Sequence, residues 1–169
     1  MQKTIEKVIA DPRYLKNIEY GEPRSGHPEG KVKLHIAELE KILEKFTSRI
    51  SEEHYWKLKF LIHVHDAFKA NAIPNSRIEN PNSHASLARK FASEFTDDAD
   101  LLNMLQFHDV NYALWKEYAA TGSYDLERFS RLLDTIVDSS VGKDPEKLRW
   151  FVREVRKSKA TVVDEDWIF

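Results

Sequence analysis

The stretch LIHVHDAFK, residues 61–69, places two histidines and an aspartate among apolar residues. Polar side chains on a buried face cost free energy unless a partner satisfies them. His65 lies four residues after Leu61 and three before Phe68, which predicts that it shares their apolar helical face. Asp66 follows it directly. Because neutral imidazole and carboxylate are ligands of divalent transition metals, an ion would offset the burial of both groups.

Three further histidines also fall in line with apolar residues at spacings of three and four. They are His35, His84 and His108. One core histidine is usually explained by a hydrogen bond to a backbone carbonyl, but four on four helices are better explained by a common metal. His63 points about 200° away from His65 on a helix, so we interpret it as a surface residue or a support for a ligand.

The spacing of these residues excludes two common metal sites. The chain has no cysteine, so it cannot form a cysteine-based zinc finger, a disulfide framework or a thiolate centre. The sequence HVHD separates its histidines by two residues, whereas a metalloprotease helix separates them by four.

The elements that must position these residues are helical, since no stretch alternates convincingly with period two. Ser51 is a predicted N-cap, and Asp144-Pro145 has the pattern of an N-cap followed by proline at the first helical position. Glycine and proline cluster in two predicted loops, 21–30 and 73–83. We predict an all-α fold, a single compact domain over 1–169 with about six or seven helices, among them 31–50, 51–69, 84–95, 97–109, 125–140 and 145–158.

The composition suits a globular domain and requires no nucleic acid or membrane. Hydrophobic residues make up 41%, charged residues 32%, and the formal net charge is −2. No apolar run approaches the roughly 18 to 20 residues of a membrane span, and no signal peptide is evident, which predicts a cytoplasmic protein without a membrane partner. The basic helix over 145–158 could contact RNA, but a solvated face explains it better, so a nucleic-acid partner is not expected. The terminal Trp167, Ile168 and Phe169 should pack on the body or on a neighbouring subunit, which leaves a homo-oligomer open.

The ordered set of ligands resembles the HD superfamily of metal-dependent phosphohydrolases. The family pattern is a histidine, an adjacent His-Asp pair and a distant aspartate, which here correspond to His35, His65 with Asp66, and Asp138. Lys69 matches a family lysine three positions after the aspartate of the pair. The segment HPEGKVKLH, residues 27–35, is similar to the HD domains of bacterial CCA-adding enzymes, matching at His27, Pro28, Glu29, Gly30, Val32 and His35.

The resemblance also implies how many ions are held and by which residues. His84 and His108 look like the two extra histidines of subgroups with two metals, in which the aspartate of the pair bridges both ions. One ion would then have His35, His65, Asp66 and Asp138, and the other Asp66, His84 and His108. The implied cofactor is one or two divalent ions of Mn, Co, Zn or Fe.

Two aspartates leave alternatives open. Asp134 lies one turn before Asp138 on the same flank, and the helical phase does not choose between them as the last ligand. Asp109, next to His108, either orients an imidazole or caps the end of its helix.

The activity implied by the resemblance is hydrolysis of a phosphoester or phosphoanhydride by metal-activated water. The substrate would be a nucleotide or a similar small phosphorylated molecule. Asp66 and Lys69 are the predicted catalytic residues. The predicted phosphate contacts, each of which could also be a solvated surface residue, are Lys69, Arg24, His27 and Arg77.

Two other functions fit the same ligands. Some HD proteins with the two extra histidines are mixed-valent diiron oxygenases that cleave C–C or C–P bonds. A nucleotide-binding or regulatory domain with a structural metal is the third alternative. Lys69 fits the hydrolase pattern better than the oxygenase pattern.

Overall fold

The structure is a computed structural model that describes residues 1–24, 27–110 and 120–122. Those residues form α-helices and no β-strand, which confirms the predicted all-α class. The helices are α1 (Gln2–Ala10), α2 (Pro12–Asn17), α3 (Val32–Glu44), α4 (Glu52–Val64), α5 (His84–Ala92) and α6 (Ala99–Phe107). Short 3-10 helices span Thr47–Arg49 and Lys69–Asn71. The predicted helices over 125–140 and 145–158 lie outside the described residues.

Helix α4 lies at the centre of this arrangement. It packs against α1, α3 and α6, while α5 pairs with α6. Phe60 and Val64 of α4 are fully buried, as are Leu101 and Leu105 of α6. Because α4 is covered by three helices, the residues that follow its last turn also lie inside the molecule. Within the described ranges, no helix has the length and apolar character needed to cross a membrane.

The ends of the helices differ from the predicted ones, most of all at α4. It ends at Val64, whereas the sequence predicted a helix to about residue 69. The His65 N–H still bonds to the Leu61 carbonyl at 2.9 Å, but the Ala67 N–H bonds three residues back, to Val64, at 3.1 Å. The chain therefore tightens into turns at the end of the apolar helix. His65 and Asp66 stand on these turns rather than within the helix.

Helices α3, α5 and α6 are also shorter than predicted. Helix α3 ends at Glu44 and not at residue 50, because the N–H groups of Lys45 and Phe46 bond three residues back, to the carbonyls of Ile42 and Leu43. A 3-10 turn replaces the rest of the predicted helix. Helices α5 and α6 end at Ala92 and Phe107, within the predicted spans.

Two helices precede residue 31, in a segment for which the sequence analysis gave no helix bounds. Helix α2 begins with Pro12, and the Asp11 side chain accepts a hydrogen bond from the Arg13 N–H at 2.8 Å. An aspartate N-cap followed by proline at the first helical position explains why the chain starts a new helix here.

The loop between α2 and α3 is folded back on itself by two glycines. Gly21 has φ 113° and Gly30 has φ 73°, both in the region that favours glycine. A Cβ on Gly21 would lie 2.4 Å from the Gly30 carbonyl oxygen, so no side chain fits. The Tyr20 carbonyl accepts from the Val32 N–H at 2.9 Å, which attaches the loop to the start of α3. The close approach of Gly21 and Gly30 fixes the position of the segment that carries Glu29.

Candidate metal centre

The centre of the candidate site is the carboxylate of Asp66, which is only 5% exposed. Four imidazoles surround it, each through Nε2. His65 and His35 lie 3.4 and 4.0 Å from Oδ2. His108 and His84 lie 3.8 and 3.9 Å from Oδ1. Each oxygen of this carboxylate therefore faces its own pair of histidines.

These distances are too long for hydrogen bonds but fit donors that share an ion. N–H···O hydrogen bonds have heavy-atom distances of about 2.7 to 3.2 Å. When an ion lies about 2.0 to 2.2 Å from each donor, adjacent donors are about 3 to 3.5 Å apart. His35, His65 and Asp66 form one group whose donor atoms all lie within 4.8 Å of one another, and Asp66, His84 and His108 form another. The site is thus compatible with a divalent metal.

Backbone carbonyls fix the orientation of two of the imidazoles. His65 Nδ1 lies 3.2 and 3.0 Å from the carbonyl oxygens of Leu61 and Ile62, and His108 Nδ1 lies 2.8 Å from that of Leu105. A carbonyl only accepts hydrogen bonds, so Nδ1 must carry the proton of the neutral ring. The lone pair is then on Nε2, which faces Asp66. This is the tautomer that a metal ligand requires.

A carboxylate performs the same role for His35. Glu29 Oε1 lies 3.2 Å from His35 Nδ1 and 2.9 Å from His27 Nδ1. His35 therefore has its Nε2 toward Asp66 and its Nδ1 toward Glu29, the arrangement by which carboxylates orient metal-binding histidines. The sequence analysis gave Glu29 no role. The available signal was its place between two histidines in a glycine-bounded loop, but that loop's path could not be read from periodicity.

We expect Glu29→Gln to weaken metal binding without removing a ligand. The amide is neutral, so His35 loses the negative partner that orients its ring and raises its basicity. Loss of such a partner typically costs about 10- to 100-fold in affinity. The dissociation constant for Zn²⁺ is measured by competition with a chromogenic chelator. Glu19→Gln is the control, because Glu19 pairs with Lys31 and Lys33 on the surface and with no histidine. Equal affinity in both variants would contradict this role for Glu29.

The electrostatics around Asp66 and His65 favour the protonation states that a metal needs, whereas those around His108 favour its protonated ring in the metal-free protein. Burial alone would raise the pKa of Asp66, but His65, His108 and Lys69 together hold it well below the usual range. Burial lowers the pKa of His65 to about 4. Burial would also lower the pKa of His108, yet the neighbouring Asp66 carboxylate raises it. At neutral pH, Asp66 is ionised and His65 is a neutral imidazole.

The depressed pKa of His65 predicts how the metal-free protein responds to acid. An unfolded histidine takes up its proton near pH 6.5, whereas folded His65 does so only near 4. Between these values the unfolded chain binds more protons, so the free energy of unfolding falls as pH falls, by up to about 1.4 kcal/mol per pH unit for one group. His65→Gln cannot gain a proton and should flatten this dependence.

The measurement is urea unfolding in EDTA at a series of pH values from 6.5 to 4. His54→Gln is the control, since His54 lies at the exposed start of α4. An equal slope in the wild type and in His65→Gln would show that His65 is not held neutral in the folded state.

A cleft beside Asp66 brings together most of the residues predicted to bind phosphate. Arg24, His27 and Lys69 line it together with His35 and Asp66. Lys69 Nζ lies 2.5 Å from Asp66 Oδ2. The backbones of Arg24 and His27 pair through two hydrogen bonds of 3.0 and 2.9 Å. The cleft therefore opens onto the histidine cluster, and its walls carry the cations of Arg24 and Lys69 together with the carboxylates of Glu29 and Asp66.

Four other residues discussed from the sequence do not appear among these described contacts. Arg77 is exposed and does not line the cleft. Asp138 and its alternative, Asp134, lie outside the described residues. His63 makes its contacts elsewhere, with the Tyr14 hydroxyl at 2.6 Å and with Glu40 at 3.2 Å.

Comparison with protein-family models, curated proteins and solved structures gave no match to this chain. The function is therefore inferred from the geometry of the histidine cluster and the cleft.

Proposed function

We propose that the protein is a metal-dependent phosphohydrolase of the HD type that acts on a nucleotide or a similar small phosphorylated molecule. The observation that carries this proposal is the arrangement around Asp66. Each of its oxygens faces a pair of imidazoles, and the cleft beside it is lined by Arg24, His27 and Lys69. A metal ion held by such donors supplies an activated water for hydrolysis of a phosphate ester, and the cations of Arg24 and Lys69 are suited to hold the phosphate.

In this proposal the chain holds two divalent ions of Mn, Co, Zn or Fe. His35, His65 and Asp66 would hold the first, and Asp66, His84 and His108 the second. When bound, such ions would lower the pKa of water to near 7 and so supply an activated nucleophile at neutral pH. Asp66 would serve both ions because its two oxygens face different histidine pairs.

The side chains of the cleft would bind and orient the phosphate. The ammonium of Lys69 is next to the metal donors, and the guanidinium of Arg24 lies in the opposing loop. Lysine binds a phosphate oxygen as a point charge, while arginine can hold two oxygens at once. The chain has no cysteine that could act as a nucleophile. Attack by water needs no covalent enzyme intermediate. In this proposal the residues of the cleft therefore need only position the substrate.

We expect Lys69→Met to lower kcat/KM by about 10- to 100-fold. A hydrogen bond to a charged group contributes about 1.5 to 3 kcal/mol, which corresponds to that range of rates. Lys69→Arg keeps the charge and should recover part of the loss. Phosphate release gives the rates, and elemental analysis checks that the metal remains. Lys59→Met is the control, since Lys59 of α4 pairs with Glu40 of α3. Equal rates in Lys69→Met and the control would remove Lys69 from the reaction.

The test of the function is a screen of nucleotides and small phosphoesters with phosphate detection. The metal-free chain is loaded separately with Mn²⁺, Co²⁺, Zn²⁺ or Fe²⁺. We expect turnover with at least one ion, loss of turnover in EDTA, and a melting temperature that falls on chelation because the bound ion stabilises the folded state. Full activity in excess EDTA, with no metal by elemental analysis, would refute the mechanism.

A diiron oxygenase is the second candidate, because two pairs of histidines around one carboxylate also suit a pair of iron ions. Protein purified without chelator would then contain two irons per chain and an absorption spectrum that changes with oxygen. Metal retained with neither phosphate release nor oxygen consumption would instead favour a regulatory domain with a structural metal.

A further inference from the structure

We propose that Asp109 is a ligand of the second ion, so that this site has two imidazoles and two carboxylates: Asp66, His84, His108 and Asp109. The sequence left Asp109 as a residue that either orients an imidazole or caps a helix. Its position in the structure supports neither role.

The distances place Asp109 among the donor atoms themselves. Its Oδ2 lies 3.2 Å from His84 Nε2 and 3.7 Å from His108 Nε2. Those two nitrogens are 3.3 Å apart, and they lie 3.9 and 3.8 Å from Asp66 Oδ1. Four donors around a tetrahedral ion at about 2.0 to 2.2 Å would be about 3.3 to 3.6 Å apart. Five of the six separations among these atoms lie between 3.2 and 3.9 Å, at this range or slightly beyond it.

The alternative in which Asp109 orients His108 conflicts with the ring's own hydrogen bond. A carboxylate that orients a ligand histidine accepts from the ring nitrogen that does not bind the metal. In His108 that nitrogen is Nδ1, and the Leu105 carbonyl is already 2.8 Å from it. Asp109 lies on the side of Nε2, where the metal would bind.

The capping alternative conflicts with the direction of helix α6. An aspartate caps a helix at its N-terminus, as Asp98 does here by accepting from the Asp100 and Leu101 N–H groups at 3.0 and 3.2 Å. Asp109 follows Phe107, the last residue of α6. Unsatisfied carbonyls and the negative end of the helix dipole disfavour a carboxylate there. A cation between Asp109 and the two imidazoles would offset this cost.

Three of the four proposed ligands of the second ion therefore lie at two adjacent helix ends. His84 opens α5, and His108 and Asp109 follow the end of α6. These helices pack against each other, and Gln106 Nε2 of α6 bonds to Ser86 Oγ of α5 at 3.0 Å. With Asp66, they would give the ion four donors of the type that Mn, Fe, Co and Zn accept.

The test measures metal binding by Asp109→Asn in the full chain. Metal-free protein is titrated with Co²⁺ and Zn²⁺, retained ions are counted by elemental analysis, and each affinity is found by competition with a chelator. We expect two ions in the wild type. In Asp109→Asn we expect the first ion to be unchanged, the second to bind at least about 10-fold more weakly, and the Co²⁺ visible spectrum to change. Asp109→Ala should give the same pattern, and His84→Ala the same loss of one ion.

Asp97→Asn is the matched control, an exposed aspartate in the turn before α6. Melting of the metal-free variants checks that they fold. Two ions held by Asp109→Asn with wild-type affinity would overturn the proposal, as would weaker binding with an unchanged Co²⁺ spectrum, which indicates a purely orienting role. A wild type that binds fewer than two ions would overturn it as well. The inference rests on the two-ion centre proposed above but not on hydrolysis, so an absence of phosphate release would refute that function without deciding the role of Asp109.

Discussion

Asp66→Asn should abolish metal retention and turnover together. Asparagine keeps the shape of the side chain but is neutral and offers one oxygen. Its amide nitrogen would face one of the two histidine pairs, whose Nε2 atoms are 3.4 to 4.0 Å from the present carboxylate. A single substitution would therefore damage both groups of donors at once.

The expected loss of kcat/KM is at least about 1,000-fold, since removing a shared ligand forfeits more than about 4 kcal/mol of transition-state stabilisation. Elemental analysis after desalting should find less than one ion per chain. The assay is phosphate release with the best substrate of the screen.

A matched control exists at Asp98. Its carboxylate is half-buried and pairs with Lys57 at 3.0 Å, much as Asp66 pairs with Lys69, but no histidine shares it. Asp98→Asn keeps the capping oxygen of α6 and should leave metal and rate unchanged. If Asp66→Asn retained two ions and its rate, the cluster would be an ordinary buried polar network and the proposed mechanism would fail.

The histidines at the centre of this prediction could be found from the sequence because each repeats the phase of its apolar neighbours. His65 is in phase with Leu61 and Phe68, and His108 with Leu101 and Leu105. The buried side chains of α4 and α6 bear out that phase. Local periodicity was sufficient there because burial on one face of a helix is a repeating property.

The helix ends and the residues contributed by loops could not be found in this way. His65 was predicted inside a helix, yet α4 ends one residue before it, because hydrogen bonding three residues back takes over from Ala67 onward. The apolar pattern continues through Phe68 and does not report this change. A periodic pattern records which side chains are buried, not which backbone bonds form.

For a related reason Glu29 was given no role, and Asp109 was left between orienting an imidazole and capping its helix. Glu29 meets His35 because Gly21 and Gly30 cross at positive φ, and Asp109 meets His84 because α5 and α6 pair. The Asp109 contact joins segments distant in the chain, and the Glu29 contact depends on the path of a loop, so apolar periodicity reports neither. The start of α2, by contrast, has a local signal. Asp11-Pro12 shows the same pattern of an N-cap followed by proline as Asp144-Pro145, so this helix start could have been predicted from the sequence.

The count of ions is decided by His84→Ala and His108→Ala. If Asp66 Oδ1 and these two imidazoles hold a second catalytic ion, each variant should bind about one ion fewer per chain. The first group, with His35 and His65 on Asp66 Oδ2, remains intact in both variants. We therefore expect one retained ion rather than none.

The rate distinguishes a catalytic second ion from one that only positions the substrate. A clamp on a phosphoryl oxygen contributes several kcal/mol, so kcat should fall by more than about 100-fold in each variant. Loss of positioning alone should raise KM and cost only part of kcat. His63→Ala is the matched control, because His63 is a partly buried histidine that contacts Tyr14 and Glu40.

Both variants should lose the same ion, because the Nε2 atoms of His84 and His108 are 3.3 Å apart and face the same oxygen of Asp66. The double variant should then be no worse in ion content than either single variant, because the ion can be lost only once. Unchanged metal content and near-normal kcat in both single variants would mean that these histidines contribute to packing alone. Asp66 would in that case serve one ion, through the oxygen that faces His35 and His65.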